Sequence, residues 1–321
     1  MVPTPIAFTI TGIEALPGSH QIAGWCFPPT SASSSFPTPV WMFLCPGGGE
    51  ERHYFHLEVE GYAADAYSFA SFYASRGIGV VAIDLPGTGE SRWGCDGSLL
   101  TLDLVAQANH QAVCQMRERL RQGTLVGQIP AIEQVVVAGF GHSNGGGVSI
   151  VQQAIYKSFD LLGNLGAPCG TPSRPRDLET MTNLFHIERG YATINLNAVA
   201  TPLLYMEDVP LAVRQTYESY ITIAPLPIHL LSLLQPGTLA QYAQNVDVPI
   251  LLVFGERDIS SAPRQEPQFY TSTRDCTLYE QPRAAHHHNL ASTRHELWTY
   301  IYNWLWAVHP ARILASYTRR S

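Results

Sequence analysis

Residues 135–147, Val135-Val136-Val137-Ala138-Gly139-Phe140-Gly141-His142-Ser143-Asn144-Gly145-Gly146-Gly147, constrain the fold more than any other stretch of the chain. The β-branched run at its start reads as a buried strand. The chain then turns through Gly141 to Gly145 and enters Val148-Ser149-Ile150-Val151-Gln152, which suits a helix. A serine on so sharp a strand-to-helix turn stands exposed on strained backbone, and only small neighbours fit beside it. The spacing G-x-S-x-G meets that demand. A phosphate-binding turn is the competing reading, because Gly139-Phe140-Gly141 with Gly145 loosely mimics a dinucleotide fingerprint. That fingerprint belongs to a first strand–helix unit, whereas several strand candidates precede this turn.

Before it come an alternating pair of stretches within residues 6–29, expected to form an antiparallel hairpin, and the continuous apolar run Val40-Trp41-Met42-Phe43-Leu44. A helix is predicted over 64–76, a buried strand over Gly79-Val80-Val81-Ala82-Ile83, and a helix over 99–122 that stops at Gly123 in a left-handed conformation. Further strands are expected at 159–165, at Pro249-Ile250-Leu251-Leu252-Val253-Phe254 and at Cys276-Thr277-Leu278-Tyr279. A last helix opens with a capping-box pattern, Thr293 and Glu296. Buried strands alternating with amphipathic helices predict an α/β chain: a mostly parallel sheet with helices on both faces. The interval 170–247 breaks this alternation. It offers local helix signals only, one opened by Asp177 and one by Asp208 with Pro210, and is expected to be a helical insertion. The core is then divided into 1–169 and 248–321.

Three more loops fall at strand carboxyl ends, where open α/β sheets build ligand sites. They are Pro46-Gly47-Gly48-Gly49, Val253-Phe254-Gly255-Glu256-Arg257-Asp258 and Ala285-His286-His287-His288-Asn289-Leu290. With the serine turn, and in this order, they resemble the α/β-hydrolase family, including its order of Ser, then Asp, then His. The resemblance covers most of residues 20–306. It implies Ser143 as nucleophile, Asp258 as acid and Gly48 with Asn144 as backbone oxyanion donors, with Pro46 standing where esterases commonly carry His. It implies His286 as base from the small-residue-then-His pattern. Spacing back from the last helix allows His287, and His288 is a third alternative. Asp84 to Ser91 resembles the family's D-x-x-G-x-G-x-S loop and is expected to be structural. Glu256 and Arg257 are expected to be a solvated or supporting pair, and His142 a packing residue. His-rich tracts also bind metals. Adjacent side chains diverge, however, and no second ligand cluster accompanies this tract, so neither metal nor cofactor is expected.

The resemblance implies a serine hydrolase acting on a carboxylic ester, thioester or lactone of a medium-sized, partly apolar small molecule. The insertion would then be a cap over the site. The same triad could serve an acyltransferase or a carbon–carbon bond hydrolase, and the scaffold could serve a ligand receptor. A net charge of −7 without a basic cluster argues against a nucleic-acid partner. No run approaches the ~18 apolar residues of a membrane span. The opening residues lack a signal-peptide pattern and the six cysteines lack close pairs, so a cytoplasmic chain with free thiols is expected.

Overall fold

The computed structural model describes residues 1–30, 36–127, 129–170, 185–194, 201–229 and 237–310. Its main sheet has eight strands: β1 (Thr4–Ile13), β2 (Leu16–Phe27), β3 (Val40–Cys45), β4 (Gly79–Ile83), β5 (Val136–His142), β6 (Leu161–Leu165), β10 (Ile250–Arg257) and β11 (Cys276–Ala285). Their spatial order is β1-β2-β4-β3-β5-β6-β10-β11. The first hairpin pairs antiparallel, β2 pairs antiparallel with β4, and every other pairing is parallel. The strand order reverses at β3, which lies between β4 and β5. The carboxyl ends of β3 and β5 are therefore the switch point at which a crevice opens.

Continuous apolar runs form the central strands because both faces of the sheet are covered. Alternate residues serve opposite layers. Phe43, Val81, Val137 and Leu252 pack toward α2 (Leu102–Gln122) and α3 (Asn144–Tyr156) with Val105, Ala112, Met116 and Val151. Met42, Leu44, Val80, Ala138 and Val253 pack toward α1 (Phe69–Ala74) and the last helix, α7 (Arg294–Ala307), with Tyr73, Trp298 and Ile301. Each Val, Leu, Ile, Phe or Met among them contributes about 1.5–3 kcal/mol on burial.

The helix ends follow local chemistry. The Ser68 hydroxyl accepts from Ser71 N–H and that of Thr101 from Leu104 N–H, while Gly123 closes α2 at φ 70°. The capping box expected at Thr293 does not form. Its hydroxyl donates to Pro282 O at 2.7 Å and accepts from Gln281, and so anchors β11 to α7 instead. All six cysteines are free thiols. No helix among the described residues is long and apolar enough to cross a membrane.

The interval between β6 and β10 corrects the purely helical expectation. It holds α4 (Thr201–Leu204), α5 (Leu211–Glu218) and α6 (Ala240–Ala243), but also a three-stranded antiparallel sheet of β7 (Phe185–Glu188), β8 (Tyr191–Ile194) and β9 (Ala224–Pro225). The turn between β7 and β8 is Arg189-Gly190, with φ 48° and 73°. Two consecutive positive φ values match the twist of a two-residue hairpin, a signal that Arg-Gly carries only faintly. The helix expected from Asp177 lies mostly outside the described residues, and Phe185 at its end belongs to β7. The one expected from Asp208 begins instead at Leu211 with Pro210 as its cap residue. Asp208 is drawn away by Arg283 and Ser292, each within hydrogen-bond distance of its carboxylate. Val213 and Tyr217 of α5 are buried, as the periodicity predicts.

Candidate active site

Ser143 follows β5 and stands at the N-terminus of α3 with φ 51° and ψ −122°. A non-glycine residue on such backbone is held there only by its surroundings. They are visible here: Ser143 N–H donates to Leu165 O at 2.8 Å and Gly147 N–H returns to Ser143 O at 3.1 Å. A Cβ at Gly141 would collide with the carbonyl of Gly145, and one at Gly145 with the carbonyls of Cys45 and Pro46. The glycines thus let the turn press against the end of β3. Ser143 Oγ makes no hydrogen bond among the described residues, so its hydroxyl is not tied into the scaffold.

The glycine loop lies across from this turn. A Cβ on Gly48 would collide with the Asn144 amide and come within 2.9 Å of His229 Nδ1. The two expected oxyanion donors, Gly48 and Asn144, are therefore neighbours, and His229, from the interval between β6 and β10, lies beside Gly48. His229 is buried, and burial lowers its pKa to about 4. The interval between β6 and β10 is joined to the glycine loop by Thr222 N–H, which donates to Gly49 O at 2.8 Å, and to the turn after it by Tyr220, stacked on His53 at 3.7 Å.

Asp258 follows β10 with its side chain buried. It accepts hydrogen bonds from Gly255 N–H at 2.8 Å and Ile259 N–H at 2.7 Å. His286 Nδ1 lies 2.6 Å from Oδ1, and His288 Nε2 lies 2.8 Å from Oδ2. Burial pushes the carboxyl up. The charges and hydrogen bonds of His286 and His288 outweigh it together and hold the group well below the usual carboxylate range. The three adjacent histidines are thereby sorted. His286 turns Nδ1 toward Asp258, which leaves its Nε2 for another partner. His288 spends Nε2, and its Nδ1 is buried with no partner among the described residues. His287 turns the other way, 3.3 Å from Glu50 and between the rings of Tyr205 and Tyr217, and burial lowers its pKa to about 4.

Two expectations change in detail. Glu256 and Arg257 do not pair with each other: Arg257 reaches Glu207 and the Tyr205 carbonyl, while Glu256 accepts from Arg283 N–H. His142 is more than packing, since its nitrogens face Glu50 and the His286 carbonyl. The 84–91 loop is structural: Asp84 accepts from Arg52 and Glu90 N–H, and the Ser91 hydroxyl joins Asp84 O to Ala23 N–H. Glu50 and His229 were not singled out in the sequence. Glu50 stands beside Glu51 and Arg52 and reads as part of an exposed charge cluster; His229 is a single imidazole among apolar residues. No group of His, Cys, Asp and Glu among the described residues is arranged to hold a metal ion.

Residues 42–298 match a family model described as the alpha/beta hydrolase family. The fold is similar to that of a monoacylglycerol lipase from Paleococcus ferrophilus, at 18% identity and a TM-score of 0.60 over 89% of this chain and 98% of that one. It is also similar to a thermophilic esterase from Thermogutta terrifontis, at 17% identity and a TM-score of 0.63 over 95% and 99%. A soluble variant of monoglyceride lipase from Saccharomyces cerevisiae, solved with a substrate analog, matches at 15% identity and a TM-score of 0.64 over 95% of each chain. No curated protein sequence matches the chain.

Proposed function

Because the chain belongs to the alpha/beta hydrolase family, we propose that it is a serine hydrolase that cleaves carboxylic esters of medium-sized, partly apolar small molecules through an acyl-enzyme. The observation that carries this reading is the Asp258–His286 contact of 2.6 Å together with a serine held at φ 51° on a strand-to-helix turn, the His286 ring lying 4.7 Å from that of His142, which precedes the serine. With Nδ1–H bound to Asp258, His286 presents Nε2 as the base that takes the Ser143 proton. The alkoxide attacks the ester carbonyl, and the N–H groups of Gly48 and Asn144 receive the oxyanion. His286 then returns the proton to the leaving alcohol. Water, deprotonated by the same nitrogen, releases the acid and restores Ser143. Lipase and esterase chemistry in proteins of similar fold supports an ester as substrate.

A series of p-nitrophenyl esters of increasing acyl length tests this reading. Turnover that peaks at an intermediate chain length supports it, and absence of turnover across the series contradicts it. Asp258→Asn should lower kcat by about 10⁴-fold, because the amide cannot accept from both imidazoles and the backbone N–H groups that now share the carboxylate. A fully active variant would move the acid elsewhere.

The interval 170–247 is assigned to substrate choice. Its side chains reach the site as partners of His53 and His287, outside the groups that would handle protons. One methylene of contact there is worth roughly 1–3 kcal/mol, or 10–200-fold in kcat/KM. Alanine substitutions across the interval, Met206 and Tyr220 included, should therefore re-rank short and long esters. A uniform change across all substrates would point to stability or to the triad instead.

A further inference from the structure

Glu50 is buried directly behind the glycine loop, and its carboxylate touches three segments of the site. Oε2 accepts from Gly47 N–H at 2.7 Å and faces His142 Nδ1 at 2.8 Å; Oε1 faces His287 Nε2 at 3.3 Å. Gly47 precedes one expected oxyanion donor, His142 precedes the nucleophile, and His287 follows the base. On its second nitrogen, His142 Nε2 lies 2.9 Å from the backbone carbonyl of His286. The Tyr54 ring stacks on this imidazole at 4.1 Å and 17° and covers one of its faces.

The hydrogen count limits the ways in which these contacts can be satisfied together. Both nitrogens of His142 face oxygen acceptors, one a carboxylate and the other a carbonyl. Neither carries a proton of its own when Glu50 is ionised, so both contacts are satisfied together only when His142 holds both ring protons. In that arrangement His142 is an imidazolium facing the Glu50 carboxylate. Burial pushes the Glu50 carboxyl up, but His142 and His287 outweigh it and hold it well below the ordinary range. An ion pair enclosed in this way is costly to break and has one well-defined geometry.

Resting on the acyl-transfer reading above, we propose that Glu50 is a positioning residue. Through Gly47 it sets the oxyanion loop, and through a doubly protonated His142 it sets the backbone of the catalytic histidine, so that donors and base move as one unit. It touches no reacting atom.

Glutamine at position 50 keeps the shape and breaks this arrangement whichever way its amide turns. With the amide oxygen at the Oε2 place, His142 can bond it as a neutral Nδ1–H tautomer, but then the Nε2 lone pair meets the His286 carbonyl. With the amide nitrogen there, His142 is satisfied and Gly47 N–H meets a donor. Glu50→Gln should therefore lower kcat on a p-nitrophenyl ester by about 10- to 100-fold, the scale of a misplacement near 1 Å. KM should stay within about threefold. Labelling of Ser143 by a fluorophosphonate should slow in parallel.

Three results bear on the proposal. Native labelling rate and kcat in a folded Glu50→Gln variant would overturn it while leaving Ser143 as nucleophile. A native chain that the fluorophosphonate does not label would overturn the acyl-transfer reading, and the positioning role would fall with it. A measurement on the native chain alone covers a variant that fails to fold. Ring ¹⁵N shifts of His142 at neutral pH should show two protonated nitrogens, and a neutral ring there would overturn the proposal.

Discussion

Ser143→Ala is expected to lower kcat on an accepted ester by about 10⁶-fold, the scale on which loss of a triad nucleophile acts. The same substitution should leave thermal unfolding close to that of the native chain. Ser143 Oγ makes no hydrogen bond among the described residues, and alanine inherits the same backbone at φ 51° with no bulkier Cβ. The contacts that hold the turn, Ser143 N–H to Leu165 O and Gly147 N–H to Ser143 O, are backbone contacts and survive the change. A stable protein with almost no turnover is therefore the expected pair of observations. Near-native turnover in this variant would remove the nucleophile and the mechanism together.

His286→Ala should cost a similar factor, about 10⁶-fold in kcat, since nucleophile and base act as one unit. The neighbouring substitutions should separate cleanly from it. His288 points Nε2 at Asp258 and buries its other nitrogen, so it can help to hold the acid but has no nitrogen to offer a substrate. His287 faces Glu50, Tyr205 and Tyr217. Their alanine variants should lose about 10- to 100-fold by misplacing the acid or the base. Steady-state kinetics on the three variants decides the register. If His286→Ala kept its activity and His288→Ala lost it, the base would be assigned to the wrong ring.

The sheet was legible because its central strands are buried on both faces, so runs such as Val40–Leu44 and Gly79–Ile83 leave no ambiguity about period or layer. The turn at Ser143 was legible for a different reason: Gly141 and Gly145 are required by the carbonyls that crowd them. The choice among His286, His287 and His288 was open because three consecutive residues share one composition, and only the backbone path turns the first and third rings toward Asp258 and the second toward Glu50. Glu50 was invisible because a buried carboxylate and a surface one look alike in sequence. Its partners His142 and His287 lie 92 and 237 positions further along the chain. The β7–β8 hairpin was missed because its turn, Arg189-Gly190, lacks the Asn-Gly or Asp-Gly pair that usually marks such a loop.

The central claim is that an ester's acyl group passes through Ser143. Rapid mixing of the native chain with a p-nitrophenyl ester, acid quench within the burst phase, and mass spectrometry of the digested protein measures this directly. The expected result is the mass of the acyl group on the peptide containing Ser143, rising with the burst of p-nitrophenol and absent in Ser143→Ala. Burst-phase turnover with the acyl group on another residue, or on none, would contradict the account.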